Sequence, residues 1–236
     1  MKILSIDYDY FQKADKDTLR RCYPDGVDLP PELSQAVWAA HYAVQKQKDL
    51  LDRVVLNEEE FSLAKEIILA QRADIPVMMT CSHKHIYDFA HRLADTNERL
   101  EVVNVDMHHD FFNDNPQVDC GNWVGFLHKE YKHFKFGWVA NPAGLDVYGF
   151  EQEETDLAIK TSLKGIQDKQ FDALFLCRSD IWSVPHLDYG FEELMTLCKE
   201  RFSDIYIEDT ITETRDISKT MKEIQRKVEE YRNELR

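Results

Sequence analysis

The stretch LEVVNVDMHHD, residues 100–110, decides the fold of this chain. Its first half is apolar and rich in valine, which is typical of a strand buried on both faces of a parallel sheet. Asp106, His108, His109 and Asp110 then follow within five residues. Ligands of open α/β sheets bind where the strands end, and alternate side chains of an extended segment share a face. We therefore expect Asp106, His108 and Asp110 to converge on a metal ion such as Mn²⁺, Fe²⁺ or Zn²⁺. The alternative is an acidic loop that hydrogen-bonds the N-termini of neighbouring helices.

Composition excludes some classes of partner. The chain has 236 residues, enough for one sizeable core, and a formal net charge of −15. Nucleic acids and anionic membranes require basic patches, so we expect neither as a partner, whereas metal ions and basic substrates suit this charge. The five cysteines are scattered without a CxxC pair, no apolar run approaches a membrane span, and the N-terminus does not resemble a signal peptide. These features predict a cytoplasmic protein.

Two further predicted strands end in side chains that bind metals. Residues 2–9 (KILSIDYD) end in Asp7 and Asp9, which lie two residues apart and therefore point the same way. Residues 75–81 (IPVMMTC) are followed by His83 and His85 at a strand-to-helix turn. We interpret His83 as a metal ligand or active-site histidine. The alternatives are a helix-capping and a solvated aspartate in the first strand, and a simple helix cap at the histidine.

The remaining pattern predicts an α/β fold of three layers, with a mainly parallel sheet and helices on both faces. Residues 12–30 are polar and proline-containing, and we expect an irregular loop that forms a rim or lid. Residues 1–212 are predicted to be the catalytic domain. Residues 213–236 are predicted to be a charged amphipathic helix of the same domain, whose heptad-like stripe suits a homo-oligomer. The other predicted strands are 133–139, 172–177 and 204–208, and the other predicted helices include 33–51, 58–72 and 187–202.

Further polar and aromatic residues follow the predicted strands and are candidates for binding a substrate. Asn122 and Trp123 come shortly after the central stretch, Asp180 and Trp182 follow residues 172–177, and Glu208 ends the last strand. For Asn122 the alternative is a turn asparagine.

The candidate ligands exceed what one ion needs. Three strands contribute four carboxylates and two imidazoles. Two divalent ions roughly 3.5–4 Å apart, bridged by shared carboxylates, would use them and would generate hydroxide at neutral pH.

These motifs carry a resemblance. VDMHHD resembles the DxHxD motif of the arginase, or ureohydrolase, superfamily; IPVMMTCSH resembles its strand before the first histidine ligand; and SIDYDYF resembles its SxDxD motif. In ordinary arginases SxDxD follows DxHxD, whereas here it opens the chain, so the order is permuted. With CGNW and CRSDIW, the set resembles a compact branch, the peptide arginases of ribosomal peptide maturation. The resemblance covers residues 2 to about 208.

The resemblance implies an arginase-like fold and two Mn²⁺ ions per chain. It implies hydrolysis of arginine side chains in a precursor peptide to ornithine and urea. Val124 stands where free-arginine enzymes have a proton-shuttling histidine, so His109 or His85 is the candidate proton donor. Asp180 and Glu208 are the candidate carboxylates for the guanidinium group. Because the loop that reads a free amino acid is altered and carries aromatic residues, we expect a peptide to be the substrate.

Three other hypotheses about the function remain open. Asp7 and Asp9 after an N-terminal strand also match the pattern of haloacid-dehalogenase-type phosphatases, which use one Mg²⁺. An amidase or deacetylase on the arginase fold would share the metal motifs. A non-catalytic member of the fold would bind a partner through its tail helix.

Overall fold

The computed structural model describes residues 1–24, 28–44, 47–112, 115–149, 158–208, 211, 215, 226, 229–230 and 232–233. The predicted tail helix, residues 213–236, therefore lies largely outside the described residues, and so does its proposed role in an oligomer.

Nine strands in the described part of the chain form two sheets. The main sheet has seven strands, all parallel, in the order β7-β6-β5-β1-β8-β4-β9. The other two, β2 and β3, pair antiparallel. The strands are β1 (Lys2–Asp7), β2 (Gln12–Lys13), β3 (Val55–Leu56), β4 (Pro76–Thr80), β5 (Arg99–Asp106), β6 (His133–Ala140), β7 (Ala158–Lys160), β8 (Ala173–Cys177) and β9 (Asp204–Ile207).

Strand β1 occupies the middle of the sheet although it opens the chain. Its neighbours are β5, where Ile6 pairs with Val105, and β8, where Asp7 pairs with Cys177. Five of its six residues are buried, as expected for a strand covered on both faces. Its place at the start of the chain therefore does not separate Asp7, at the end of β1, from Asp106, at the end of β5.

Helices cover both faces of the main sheet. On one face Leu4 and Ile6 of β1 pack with α4 and α8, and on the other face Ile3 packs with α5 and α6. The predicted α/β fold, with a parallel sheet between two helical layers, is confirmed. The helices are α1 (Lys16–Cys22), α2 (Pro31–Val44), α3 (Gln47–Arg53), α4 (Glu58–Ala70), α5 (His85–Leu93), α6 (Trp123–Glu130), α7 (Pro142–Tyr148) and α8 (Asp188–Arg201). No helix in these described ranges is long and apolar enough to cross a membrane.

Two segments differ from the sequence-based expectation. Residues 12–30 were expected to be irregular, but they contain β2 and α1. Helix α1 begins there because the Asp15 side chain accepts a hydrogen bond from the Thr18 amide, and Leu19 and Cys22 are buried. The expected helix 33–51 is described as two helices, α2 and α3.

Helix α7 makes a close backbone approach to the loop that follows β5. A Cβ atom at Gly144 would lie 2.3 Å from the carbonyl oxygen of Met107, between the two candidate ligands Asp106 and His108. Only a glycine permits this distance, so the contact ties the start of α7 to the loop.

We predict that Gly144→Ala destabilises the protein, because a backbone atom cannot move aside as a flexible side chain does. The expected loss is about 1–3 kcal/mol of unfolding free energy, measured by thermal or urea denaturation. Gly125→Ala in α6 is the matched control, since its Cβ would meet only Phe111 at an ordinary 3.8 Å. Equal stability of the two variants would contradict the prediction.

Candidate metal centre

The six predicted metal ligands lie together at the carboxyl edge of the sheet. They come from the ends of β1, β4 and β5, which lie close together in the order β5-β1-β8-β4. Each of them is at least nine-tenths buried. The ligands are Asp7, Asp9, His83, Asp106, His108 and Asp110.

One group of ligands surrounds His83. Its Nδ1 atom lies 3.1 Å from Asp7 Oδ2, 3.1 Å from Asp106 Oδ2 and 2.9 Å from Asp110 Oδ2. One imidazole nitrogen and three carboxylate oxygens from three strand ends therefore face one point. Mixed nitrogen and oxygen ligands of this kind suit divalent transition metals.

A second group surrounds His108. Its Nδ1 atom lies 3.1 Å from Asp9 Oδ2 and 3.7 Å from Asp106 Oδ1. The two oxygens of Asp106 thus face different histidines, and Asp106 belongs to both groups that can hold a metal ion. Asp7 and Asp9 were expected to point the same way, but Asp7 faces His83 and Asp9 faces His108. The strand ends at Asp7, and Asp9 lies in the 3-10 turn Tyr8–Phe11, so the two side chains do not follow the alternation of a strand.

Burial dominates the electrostatics of the cluster. Burial and the charge of Asp106 raise the pKa of Asp7 and raise the pKa of Asp110 to about 7, while burial raises the pKa of Asp9 well above its usual range. Burial opposes the charged form of His83, but Asp110 and Asp106 outweigh it and raise the pKa of this histidine. The carboxylates therefore require positive charge, which protons or a metal cation can supply.

Two buried polar atoms in the cluster have no well-aligned hydrogen-bond partner among the residues that the structure describes. They are Asp9 Oδ2, despite its short distance from His108, and His108 Nε2. A buried carboxylate oxygen without a hydrogen bond is costly, and metal coordination removes that cost. The donor set, its burial and this oxygen together fit a divalent metal ion.

Hydrogen bonds behind the ligands fix their orientation. The hydroxyl of Ser5 lies 2.8 Å from His83 Nε2, so a proton on Nε2 leaves the Nδ1 lone pair towards the carboxylates. Asn104 donates to Asp106 at 2.9 Å, the Trp123 indole donates to Asp110 at 2.6 Å, and the Ser179 hydroxyl donates to Asp7.

Sequence reasoning did not single out three of these residues, Ser5, Asn104 and Ser179. Ser5 and Asn104 each lie two residues before a ligand on the same strand, so the period of two could have identified them. Ser179 comes from β8, and no local pattern pairs it with β1.

The backbone is strained at two points of the site. Asp110 and Ser179 have φ angles of 54° and 50°, in the left-handed region that few residues other than glycine adopt. Both residues follow strands of the main sheet and interact with the cluster. Backbone strain of this kind accumulates at functional sites, where neighbouring contacts maintain it.

The cluster forms the floor of a cavity of about 380 Å³. Aromatic walls surround His108, whose ring lies 4.5 Å from that of Tyr148 and 4.8 Å from that of Trp182. The described lining residues are Asp7, His83, His108, Asp110, Phe112, Asp119, Cys120, Gly121, Tyr148, Ser179 and Trp182. Trp182 is the one member of the expected substrate-binding set among them.

Several expected substrate-binding residues have structural partners instead. Trp123 is fully buried and donates to Asp110. Asn122 is buried too, and its amide donates to the carbonyl of Gln117 at 2.8 Å, as expected for a turn asparagine. The structure therefore favours supporting roles for both in place of the expected contacts with substrate.

The two carboxylates expected to bind a guanidinium group are also occupied. Asp180 is buried and receives two hydrogen bonds from Arg178, at 2.5 and 3.0 Å. Glu208 lies 3.1 Å from His85 and accepts the hydroxyl of Thr80, and these contacts hold the pKa of Glu208 at about 2. Asp180 therefore completes an ion pair and not the metal centre, and Glu208 and His85 pair with each other.

His109, a candidate proton donor, makes structural contacts with its neighbours in the chain. Its Nδ1 accepts a hydrogen bond from the Phe111 amide at 2.9 Å, and its ring packs 4.1 Å from Phe112. Burial and the charge of His108 lower the pKa of His109 to about 4, so the imidazole is neutral at pH 7. A pKa of about 4 does not favour an imidazolium of His109 as the proton donor at neutral pH.

Comparisons with known proteins do not assign this chain to a family. No protein-family model matches the chain, and no curated protein or solved structure matches it.

We predict that Ser5→Ala weakens metal binding about 10- to 100-fold, because His83 loses the partner that orients its ring. Isothermal titration calorimetry with Mn²⁺ measures the change. Ser183→Ala is the matched control, since this serine is also fully buried but donates to the Arg178 carbonyl away from the ligands. An affinity equal to that of the control would show that the hydroxyl has no part in orienting the ligand.

Proposed function

We propose that this chain is a dinuclear-metal hydrolase that acts on the guanidinium group of arginine side chains in a peptide, giving ornithine and urea. One observation carries the proposal. Two ligand groups share Asp106, as two bridged metal ions require, and members of both groups, Asp7 and His83 from one and His108 from the other, line the same cavity. The motifs that resemble those of peptide arginases supply the choice of reaction.

The residues fit two Mn²⁺ ions. Asp7, His83 and Asp106, with Asp110 beside them, would hold one ion; Asp9, Asp106 and His108 would hold the other. Bound as a pair, the ions would supply Lewis acidity and a hydroxide nucleophile at neutral pH. The ligand set does not by itself select manganese over iron, so this choice rests on the resemblance.

The chain's own residues would orient the centre and shield it. Trp123 and Ser5 hold Asp110 and His83 in place before a substrate arrives, which lowers the reorganisation needed for catalysis. Tyr148 and Trp182 enclose the imidazole of His108 and limit the access of water to it.

The lining of the cavity favours a peptide over free arginine. None of its described lining residues is a lysine or arginine, whereas Asp7, Asp110 and Asp119 are acidic. The α-carboxylate of a free amino acid would therefore lose its hydration without gaining a basic partner. A blocked peptide backbone carries no such charge.

The alternatives share parts of this geometry. A haloacid-dehalogenase-type phosphatase needs a lysine beside its aspartates, and none is among the described residues that line the cavity. An amidase or deacetylase would use the same centre, so only its substrate distinguishes it. The proposal includes three further points that rest on the sequence: the substrate is a precursor peptide, the protein is cytoplasmic, and the chain forms a homo-oligomer.

We predict that the Mn²⁺-loaded protein hydrolyses an arginine peptide blocked at both ends with kcat/KM about tenfold or more above that for free arginine, because no basic group compensates the α-carboxylate. Mass spectrometry should detect the mass difference between arginine and ornithine, and urea should appear in equal amount. An acetyl-lysine peptide tests whether the protein is a deacetylase, and a phosphoserine peptide tests whether it is a phosphatase. Turnover of either one, with none of the arginine peptide, would overturn the proposal.

We also predict that Asp106→Ala removes both metal ions and His108→Ala removes one, because only Asp106 belongs to both ligand groups. Asp7→Ala should likewise lower bound metal and abolish activity. Elemental analysis after gel filtration measures the stoichiometry, and circular dichroism checks the fold. Asp88→Ala, an exposed position on α5, is the control. Full occupancy in the Asp106 variant would refute the shared-ligand assignment.

A further inference from the structure

The wall of the metal cavity carries a carboxylate that is separate from the metal ligands. Asp119 lines the cavity together with Cys120 and Gly121, and it is partly exposed. In the described part of the chain, no lysine, arginine or histidine forms an ion pair with it. Asp119 therefore contributes a carboxyl group to the lining of the cavity, and no cation among the described residues pairs with it.

Hydrogen bonds hold this carboxylate in one position. Asp119 Oδ1 accepts the Gly121 amide at 3.0 Å, and Oδ2 accepts the Asn115 side chain at 2.8 Å. The Asp119 amide in turn donates to the Asn122 side chain at 2.8 Å. Each carboxylate oxygen keeps a second lone pair, so the group is oriented and still able to accept hydrogen bonds from a ligand.

A planar cation fits the remainder of the wall. Phe112, Tyr148 and Trp182 line the same cavity. Guanidinium groups stack on aromatic faces and donate two parallel hydrogen bonds to a carboxylate, and the aliphatic stem of arginine packs on aromatic carbon. An ammonium group or a phosphate would use this combination less fully.

The carboxylates that sequence reasoning assigned to this task are not free for it. Asp180 is paired with Arg178, and Glu208 is paired with His85. Another partly buried carboxylate, Asp28, accepts the hydroxyl of Ser82, but it is not among the lining residues of the cavity. Of the described carboxylates outside the metal centre, Asp119 is the one on the cavity wall.

We infer that Asp119 binds the guanidinium group of the substrate and selects it over neutral and anionic side chains. This inference rests on the proposed function, and it names the residue that determines substrate class at that site. Asp119 would accept hydrogen bonds from the guanidinium nitrogens, in the same cavity that Asp7, His83 and His108 of the candidate metal centre line.

The test compares two labelled peptides that differ at one side chain, arginine or its neutral near-isostere citrulline. Fluorescence polarisation with the Mn²⁺-loaded full-length protein gives the dissociation constant for each peptide. For a peptide that the protein turns over, as detected by mass spectrometry, KM is compared in place of the dissociation constant. For Asp119→Asn we expect arginine-peptide binding to weaken about tenfold and citrulline-peptide binding less than about twofold. Metal content should not change, because Asp119 is outside the ligand groups.

Asp28→Asn is the matched control, since Asp28 is also partly buried and its charge acts on Cys120 of the cavity wall. The control should keep the wild-type preference for arginine. An unchanged preference in the Asp119 variant overturns the inference, and so does a preference lost in the Asp28 variant alone. Should Asp119→Asn fail to retain metal, Asp119→Ser replaces it, because it also removes the charge and its hydroxyl can accept the Gly121 amide; loss of the preference for arginine in that variant supports the inference, and a retained preference overturns it.

The outcomes separate this inference from the proposed function. A wild-type protein that prefers the arginine peptide through Asp119 but releases no urea supports the binding role and refutes the hydrolysis. Urea release that is unaffected in Asp119→Asn supports the hydrolysis and refutes the binding role. No preference of the wild-type protein for arginine over citrulline overturns the inference.

Discussion

The constraint on which this structure depends is the burial of four carboxylates around two imidazoles at one edge of the sheet. Each buried carboxylate costs free energy unless positive charge compensates it. Imidazole protons can compensate part of this charge, and the raised pKa of His83 reflects that pressure. A metal ion held by these buried groups would supply the remaining positive charge, and it would also satisfy Asp9 Oδ2, which has no hydrogen bond among the described residues.

The parallel sheet is what makes this concentration of charge possible. Parallel strands end at the same edge, so a carboxylate at the end of β1 necessarily lies near the ends of its neighbours. Because ligands such as Asp7 and Asp106 are the last residues of strands, their backbone positions are fixed by the sheet. Ser5 and Asn104 lie on the same strands and orient the ligands from behind. Precise positioning thus needs few loop residues, which agrees with the advantage of building sites on rigid elements.

The sequence was informative wherever the physical cause was local. An apolar run that ends abruptly in charged residues predicted β1, β4 and β5 and all six clustered ligands, because strand period and polarity are properties of neighbouring residues. The chain order of the motifs was no obstacle, since a strand pairs by its edges and not by its position in the chain. Helix α1 was missed because the polar residues around it obscured a short cap at Asp15.

The substrate-side residues could not be predicted in the same way, because their roles depend on distant partners. Asp180 comes directly after a strand, as a ligand would, but its carboxylate accepts a hydrogen bond from Arg178. Behind this pair Arg215, far along the chain, donates to Asp188 at 2.9 Å and to the carbonyl of Asp180. Because of these contacts, the carboxylate of Asp180 has a structural role in place of the expected role in binding substrate.

The same distant contacts shape the cavity. The carbonyl of Asp180 also accepts the Trp38 indole at 2.9 Å, so Trp38 of α2 and the Arg215 side chain both hold the loop after β8. That loop carries Ser179, which donates to the candidate ligand Asp7, and Trp182, whose ring lies 4.8 Å from that of the candidate ligand His108 at a tilt of 57°. The buried arginine network thus serves the metal centre indirectly. It fixes the loop whose hydroxyl contacts Asp7 and whose aromatic ring lies beside His108, and neither Arg178 nor Arg215 is among the described residues that line the cavity.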